Sequence, residues 1–454
     1  METNFLDLLY KYDKPVPRYT SYPTVPYWDS VSINEEKWKA SVKETFEAEN
    51  GEICLYMHLP FCENLCTFCA CNKRITVNHA VEEPYLETLL KEWKMYCDVM
   101  GRKPLIREIH LGGGTPTFFS PENLKKLIEA ILKDADVAEV HEFSVEVHPN
   151  FTKEAHIKAL AEVGFNRISL GVQDFDPEIQ FIINRNQSYE KTLEVVEWAR
   201  KYNYFSINTD LIFGLPKQQI KHVAHTIELI NKLNPDRIAF YSYAHVPWKS
   251  KVQRRYSDDD VPKAAEKWQL YNTGRALLME NGFLPIGMDH FAKKDDKLFI
   301  AEQEGKLHRN FMGYTTTNNK LILALGASSI SDSWNGFIQN VKVIEDYQQL
   351  IGEGKFPIEA GHLLSREDVT IRQFILDLMC RSEAKIPDGI YSDAEIEIIK
   401  TALAEFESDN LIKYENGIIH ILPNGHTFIR NICATFDVLL NRKQNTVPTF
   451  SRSI

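Results

Sequence analysis

Between residues 53 and 245 a short apolar run followed by a helical pattern recurs six times, and this alternation leaves the chain few folds to choose from. The runs are "ICLYMHLPF" (53–61), "EIHLGG" (108–113), "EFSVEVHP" (142–149), "RISLGVQ" (167–173), "INTDLIFGLP" (207–216) and "RIAFYSYAH" (237–245). Helical patterns around 82–99, 121–134, 153–163, 188–202 and 218–233 lie between them, several opened by Pro, Ser or Asp cap signals. Strands alternating with helices at this spacing predict a parallel α/β sheet. No G-x-G-x-x-G follows a strand, so a partial barrel of six β/α units is expected rather than a dinucleotide-binding sheet. Barrels of this kind gather their active sites at the C-terminal ends of the strands. The segments "GGGT", "EVHPN", "VQDF" and "YAHVP" all follow strand ends, as does a cluster of cysteines.

Residues 1–50 precede this pattern as an N-terminal arm, and the barrel with its extension is expected over 51–363. From about 364 to 440 the character changes: "SREDVTIRQFILDLMC" and "SDAEIEIIKTALAEFESDN" predict helices, and "LIKYENGIIHIL" predicts a hairpin around Glu415-Asn416-Gly417. Helices followed by a hairpin suggest a small, mainly helical, winged-helix-like domain. The polar tail 441–454 is expected to be loose.

With 44% hydrophobic residues the chain can bury a large core, and its formal charge of −11 opposes non-specific binding to nucleic acid or an anionic membrane. An anionic substrate would therefore be captured by local positive residues. The N-terminus lacks the features of a signal peptide, and no run approaches eighteen consecutive apolar residues. A cytoplasmic monomer is expected.

"LPFCENLCTFCACNKR" (59–74) holds four of the eight cysteines, three of them spaced C-x3-C-x2-C. Such crowding argues for metal chemistry in a reducing compartment rather than a disulfide framework. A structural zinc site prefers separated C-x2-C pairs, although His58 or Cys71 would complete four ligands here. Ordinary buried thiols fit poorly in so polar a loop. A third arrangement is a [4Fe–4S] cube held at three corners, with the fourth iron open to a substrate or cofactor.

A C-x3-C-x2-C loop after the first barrel strand, with Phe68 before the last cysteine, resembles the radical S-adenosylmethionine (SAM) enzymes. "GGGTPT" (112–117) after the second strand strengthens the likeness, because a glycine run lets backbone approach a cofactor closely. "PRYTSYPT" (17–24), the "CAC" at 69–71, "IGMDHFAKKDDKL" (286–298) and "LHRNFMGYTT" (307–316) together resemble the oxygen-independent coproporphyrinogen III oxidases, also called dehydrogenases. The resemblance runs from about residue 12 to beyond 350, and more loosely to about 440.

That resemblance implies oxidative decarboxylation of two propionates of coproporphyrinogen III to vinyl groups by a 5′-deoxyadenosyl radical, giving protoporphyrinogen IX for haem. It also implies an electron donor and an acceptor, which the sequence does not name. Cys62, Cys66 and Cys69 match the cluster ligands, and Tyr56, Phe68, Gly113, Ala244 and Ile330 match positions lining one SAM. Glu146 matches a hydrogen-bond acceptor for that cofactor, while Gly114, Thr115, Gln173, Arg185 and Asp210 match contacts to a second SAM. Cys71 matches a family-specific active-site residue. Arg18, Lys73 and Arg74 lie in or beside the motifs as candidates for the propionates, and Tyr19 and Tyr22 could form a lid or pack the arm down. Two departures stand out: Met312 replaces a glutamine common in the family, and "EVHPN" replaces a more acidic variant. A haem-delivering relative would lack the "PRYTSYPT" arm and the second cysteine of "CAC". A non-catalytic iron–sulfur or zinc sensor would need neither "GGGTPT" nor Asp210.

Overall fold

The computed structural model describes residues 5–248, 250–442 and 450–453. The six apolar runs form six consecutive parallel strands: β1 (Glu52–Leu59), β2 (Leu105–Gly113), β3 (Asp136–Val147), β4 (Arg167–Gln173), β5 (Ser206–Phe213) and β6 (Arg237–Ser242). Each parallel crossover is carried by a helix on the outside, as parallel pairing requires. The helices begin where side chains can satisfy their free N–H groups. Ser120 accepts from Asn123 N–H ahead of Pro121–Lys133, and Ser188 accepts from Lys191 N–H ahead of Tyr189–Lys201. Gly101, at φ +71°, ends Glu82–Met100 in the left-handed conformation.

The sheet extends beyond the predicted units at both edges. Next to β6, β7 (Leu284–Ile286) and β8 (His290–Ala292) add antiparallel, with β8 against β6. Next to β1, β9 (Ile322–Leu325) pairs parallel, and β10 (Ile330–Asp332), β11 (Gly336–Asn340) and β12 (Ile358–Leu363) follow antiparallel. The order is β12-β11-β10-β9-β1-β2-β3-β4-β5-β6-β8-β7, a twelve-stranded sheet in which β1 and β6 do not pair. The partial (β/α)6 barrel is thus borne out, and its edges are covered rather than closed.

Apolar residues of the strands and outer helices share one large core with Trp38, Val42 and Phe46 from the helix Glu35–Ala48. The arm's last part is therefore embedded in the barrel's core. Its first part packs elsewhere: Leu8, Leu9, Tyr12, Tyr19 and Tyr22 join a second core with the helices Arg366–Arg381 and Asp393–Ser408. A three-stranded antiparallel sheet completes that C-terminal unit. Its hairpin turns at Asn416 and Gly417, both at positive φ (+53° and +80°), the geometry a two-residue hairpin needs.

The chain's two ends meet. Tyr19 donates to Asp437 Oδ2 at 3.0 Å, and Arg430 donates to the carbonyls of Val16 and Pro17 on the arm and of Arg452 and Ser453 near the C-terminus. The expectation of a loose tail is corrected for residues 450–453, which lie against Lys14 and Val16, whereas 443–449 and 454 lie outside the described residues. Among the described residues no helix is long and apolar enough to cross a membrane.

Tyr19 and Tyr22 are each 2% exposed and pack the arm against the C-terminal unit rather than covering the strand ends. Replacing Tyr19 with Phe leaves the buried Asp437 carboxylate without that donor. We expect a loss of about 1–3 kcal/mol, read as a lower thermal unfolding midpoint.

Candidate active site

The cysteine loop leaves the C-terminal end of β1, and the glycine loop leaves the neighbouring end of β2. Backbone hydrogen bonds lace them together: Gly114 N–H donates to Leu59 O (2.8 Å), and Thr115 N–H donates to Phe61 O (2.9 Å). A Cβ on Gly114 would lie 2.7 Å from the Pro60 carbonyl carbon, and Gly113 sits at φ +114° with the His58 ring 2.8 Å from any Cβ. Only glycine allows this approach.

His58 fixes the far end of the cysteine loop. Its Nδ1 meets Tyr56 Oη at 3.1 Å and its Nε2 meets Asn72 O at 2.9 Å, so both ring nitrogens are engaged. Burial lowers its pKa, which favours the neutral ring. His58 is therefore unavailable as a fourth metal ligand. Nor do any three of the four loop sulfurs lie within 4.8 Å of one another, whereas thiolates sharing one tetrahedral zinc sit about 3.8 Å apart. The wider spacing suits a cluster.

Each of Cys62, Cys66 and Cys69 has a polar neighbour. Thr115 Oγ1 donates to Cys62 Sγ at 3.4 Å, and Arg185 Nη1 donates to Cys66 Sγ at 3.4 Å. Cys69 is held down at about 6 by its hydrogen bond from Cys71, with Lys73 assisting against the effect of burial. Burial pushes Cys62 up to about 11. Lys73 Nζ donates to the carbonyls of Cys69 and Cys71 at 3.2 and 3.3 Å, which places it at the loop itself. Three sulfur donors on one loop, with O–H and N–H groups aimed at them and a glycine cradle beside them, fit a [4Fe–4S] cluster with a chelating cofactor.

The remaining predicted residues fall around this loop to different degrees. On β1, Tyr56 stacks on His110 of β2 with ring centroids 5.7 Å apart. Glu146, near the end of β3, accepts from His110 Nε2 (3.1 Å) and Gly113 N–H (3.4 Å); burial alone would raise its pKa, but these partners hold it low. Gln173 ends β4 in the left-handed region at φ +69°. A Cβ on Gly171 would meet Arg185 Nη2 at 2.8 Å and Gln173 Nε2 at 2.9 Å, so that glycine leaves room for both side chains. Arg185 also donates through Nε and Nη2 to Gly171 O. Asp210 on β5 accepts from Asn208 (2.8 Å) and Ser169 (3.0 Å). Ala244 lies two residues beyond β6 and Ile330 opens β10; both are half-buried. Phe68 packs against Ile179, Ile183, Leu215 and Tyr243, an apolar cluster that clamps the cysteine loop to the barrel. Cys71 is exposed beside Cys69. Arg74 is spent on a bidentate surface pair with Glu345, and Arg18 donates to Ser242 O at the end of β6 (2.8 Å).

Sequence reasoning assigned no role here to His110, Asp289, His290 or Arg309. The alternation of "HLG" after an apolar strand start was the only local sign of His110.

Residues 56–230 match the family model of the radical SAM superfamily. The chain is 36% identical to the oxygen-independent coproporphyrinogen III oxidase of Synechocystis sp. over 99% of its length and 97% of the relative's. It is 36% identical to the enzyme of that name from Escherichia coli K12, over 99% of this chain and 98% of the other. The solved structure described as coproporphyrinogen III oxidase from Escherichia coli, a radical SAM enzyme, superposes with a TM-score of 0.88 at 33% identity, covering 96% of this chain and 100% of that one. The fold and site define a radical SAM protein. Within that superfamily the chain belongs to the oxygen-independent coproporphyrinogen III oxidase family.

Burial raises Asp210 from 3.8 to about 6, with Glu146 adding to the shift. Between those values the native protein binds more protons than the unfolded chain, so stability falls as pH rises from 3.8 to about 6 and the cost stays constant above. Asp210→Asn keeps the Asn208 bond, and the Ser169 hydroxyl can turn to accept. We expect a higher thermal midpoint for the ligand-free variant at pH 7.5, by roughly 1–3 kcal/mol, with the gain vanishing towards pH 4.

Proposed function

We propose that this protein carries out the oxygen-independent conversion of coproporphyrinogen III to protoporphyrinogen IX in haem synthesis. The observation that carries the proposal is the triad of Cys62, Cys66 and Cys69 on one strand-end loop, laced to the glycine loop, in a chain alike to this family over its whole length. When bound, the reduced cluster and SAM supply a 5′-deoxyadenosyl radical that removes one hydrogen atom from a propionate side chain. Carbon dioxide and one electron then leave and a vinyl group remains, so each of the two rounds requires an electron acceptor of another chemistry.

In this proposal Cys62, Cys66 and Cys69 would hold the iron–sulfur cluster. Thr115 and Arg185 donate to two of those sulfurs, which stabilises negative charge on the sulfur ligands. Tyr56, Phe68, Gly113, Glu146, Ala244 and Ile330 orient one SAM. Glu146 has its acceptor character preserved by His110 and the Gly113 N–H. Gly114, Thr115, Gln173, Arg185 and Asp210 line a second SAM position. Asp210, pushed up by burial and met among the described residues by Ser169 and Asn208, would be relieved by a cationic or hydroxyl partner. Met312 follows the turn after Asn310, whose side chain accepts its N–H at 2.9 Å, and offers a thioether where an amide is usual.

Anaerobic reconstitution, reduction and addition of SAM with coproporphyrinogen III should give both 5′-deoxyadenosine and protoporphyrinogen. Absence of both refutes the proposal. Cys71, free beside the loop, is assigned to turnover rather than to the cluster. Cys71→Ser should keep its iron content and still form 5′-deoxyadenosine, yet lose most of its porphyrinogen turnover. Loss of iron from that variant would make Cys71 a ligand instead.

A further inference from the structure

Beyond the cluster loop, the cleft holds a guanidinium with nothing to bind. Arg309 is 5% exposed, and its Nε and Nη1 are buried without an acceptor among the described residues. Its guanidinium carbon lies 4.5 Å from the centroid of the Tyr314 ring, which supports it from one face and accepts no hydrogen bond there. The charges acting on it are Asp289 and Arg18, with the Tyr241 hydroxyl nearby. Asp289 Oδ1 is taken by His290 Nδ1 at 2.7 Å, and Arg18 has one N–H on Ser242 O. Two guanidiniums thus face one carboxylate, leaving one positive charge uncompensated in a buried space. Such a cation costs several kcal/mol unless an anion joins it.

The surroundings of Arg309 lead back to the strand ends that carry the site. Ser242 and Tyr241 lie at the C-terminal end of β6. Tyr241 feels the charges of Asp210 and Glu146 as well as Asp289, and its ring meets His290 at 5.7 Å. His290 in turn packs against Tyr314 at 5.3 Å. Arg309, Tyr314, His290 and Tyr241 thus pack in sequence, and the Tyr241 hydroxyl feels the charge of Asp210.

We propose that Arg309, with Arg18 beside it, forms a carboxylate pocket that holds a propionate of the tetrapyrrole substrate. The proposal rests on the functional reading above and deepens it. A planar guanidinium with free N–H groups offers the paired donors a carboxylate accepts in bidentate fashion, whereas an ammonium offers a point charge. The amino-acid carboxylate of a SAM molecule shares that chemistry, so the test separates the two sources.

The test titrates the full-length, cluster-loaded protein with coproporphyrin III and with its tetramethyl ester, read by porphyrin fluorescence. SAM binding is measured separately by equilibrium dialysis. For Arg309→Gln we expect the coproporphyrin III Kd to rise about 30-fold or more, because a buried charge pair loses one partner. The preference of the wild type for the acid over the ester should shrink by a similar factor, SAM binding should be unchanged, and Arg309→Lys should bind with intermediate affinity. The ligand-free Arg309→Gln protein should be at least as stable as the wild type, since it has lost an unpaired buried cation. An unchanged Kd and unchanged ester preference overturn the pocket. Weakened SAM binding with intact porphyrin binding overturns the propionate assignment in favour of the cofactor's carboxylate. Should Arg309→Gln not fold, Arg309→Lys decides by the same ester comparison. If the wild type turns over coproporphyrinogen III while Arg309→Gln binds normally, only this inference fails; if the wild type does neither, the functional reading fails first.

Discussion

The strand-end loops are held together by two backbone hydrogen bonds, Gly114 N–H to Leu59 O and Thr115 N–H to Phe61 O, and everything chemical in the molecule depends on them. They set the glycine loop against the cysteine loop at a distance no side chain would permit. Through them Thr115 reaches Cys62, Gly113 reaches Glu146, and His58 is wedged beneath. The parallel sheet supplies this economically: adjacent strands in register end side by side, so loops that follow them meet without further design.

Around that junction the interior is charged to a degree a purely structural core would avoid. Asp210 and Arg309 both lie under the sheet's C-terminal rim with less partnership than burial calls for. The ligand-free protein therefore carries a standing cost, which a bound cofactor and substrate would offset. The buried pair of Arg372 and Asp332 is matched within the chain: it is bidentate, with the Trp334 ring 4.1 Å from the guanidinium carbon.

Much of this was legible in the sequence. β1 reads as a nearly continuous apolar run, while β4 alternates buried and half-buried residues, and neither pattern fits a helix period. The added strands β7, β8 and β10 are only three residues long and left no pattern to find. Cys62, Cys66 and Cys69 announce themselves by spacing, because their ligand geometry is local. Arg309 does not, because its meaning lies in the absence of an acceptor, a property of its tertiary surroundings alone. Arg74 shows the converse: adjacent to the motif, it is consumed by Glu345 from a distant helix. The docking of residues 450–453 onto Lys14 and Val16 was likewise invisible, being a pairing across more than four hundred positions.

The clasp between the chain's ends has a consequence for the order in which the protein becomes functional during synthesis. The six strands are complete by residue 242, and the cysteine loop's further partners, Ser250, Gln253, Lys342 and Glu345, all precede Arg430 and Asp437. Arg18 belongs to an arm whose Tyr19 is anchored by Asp437 and whose backbone is gripped by Arg430. That arm is made before the barrel and is anchored by residues made after it. The barrel and its metal loop can therefore be assembled while the arm is still undocked, and Arg18 takes its place beside Ser242 only once Arg430 and Asp437 have been made.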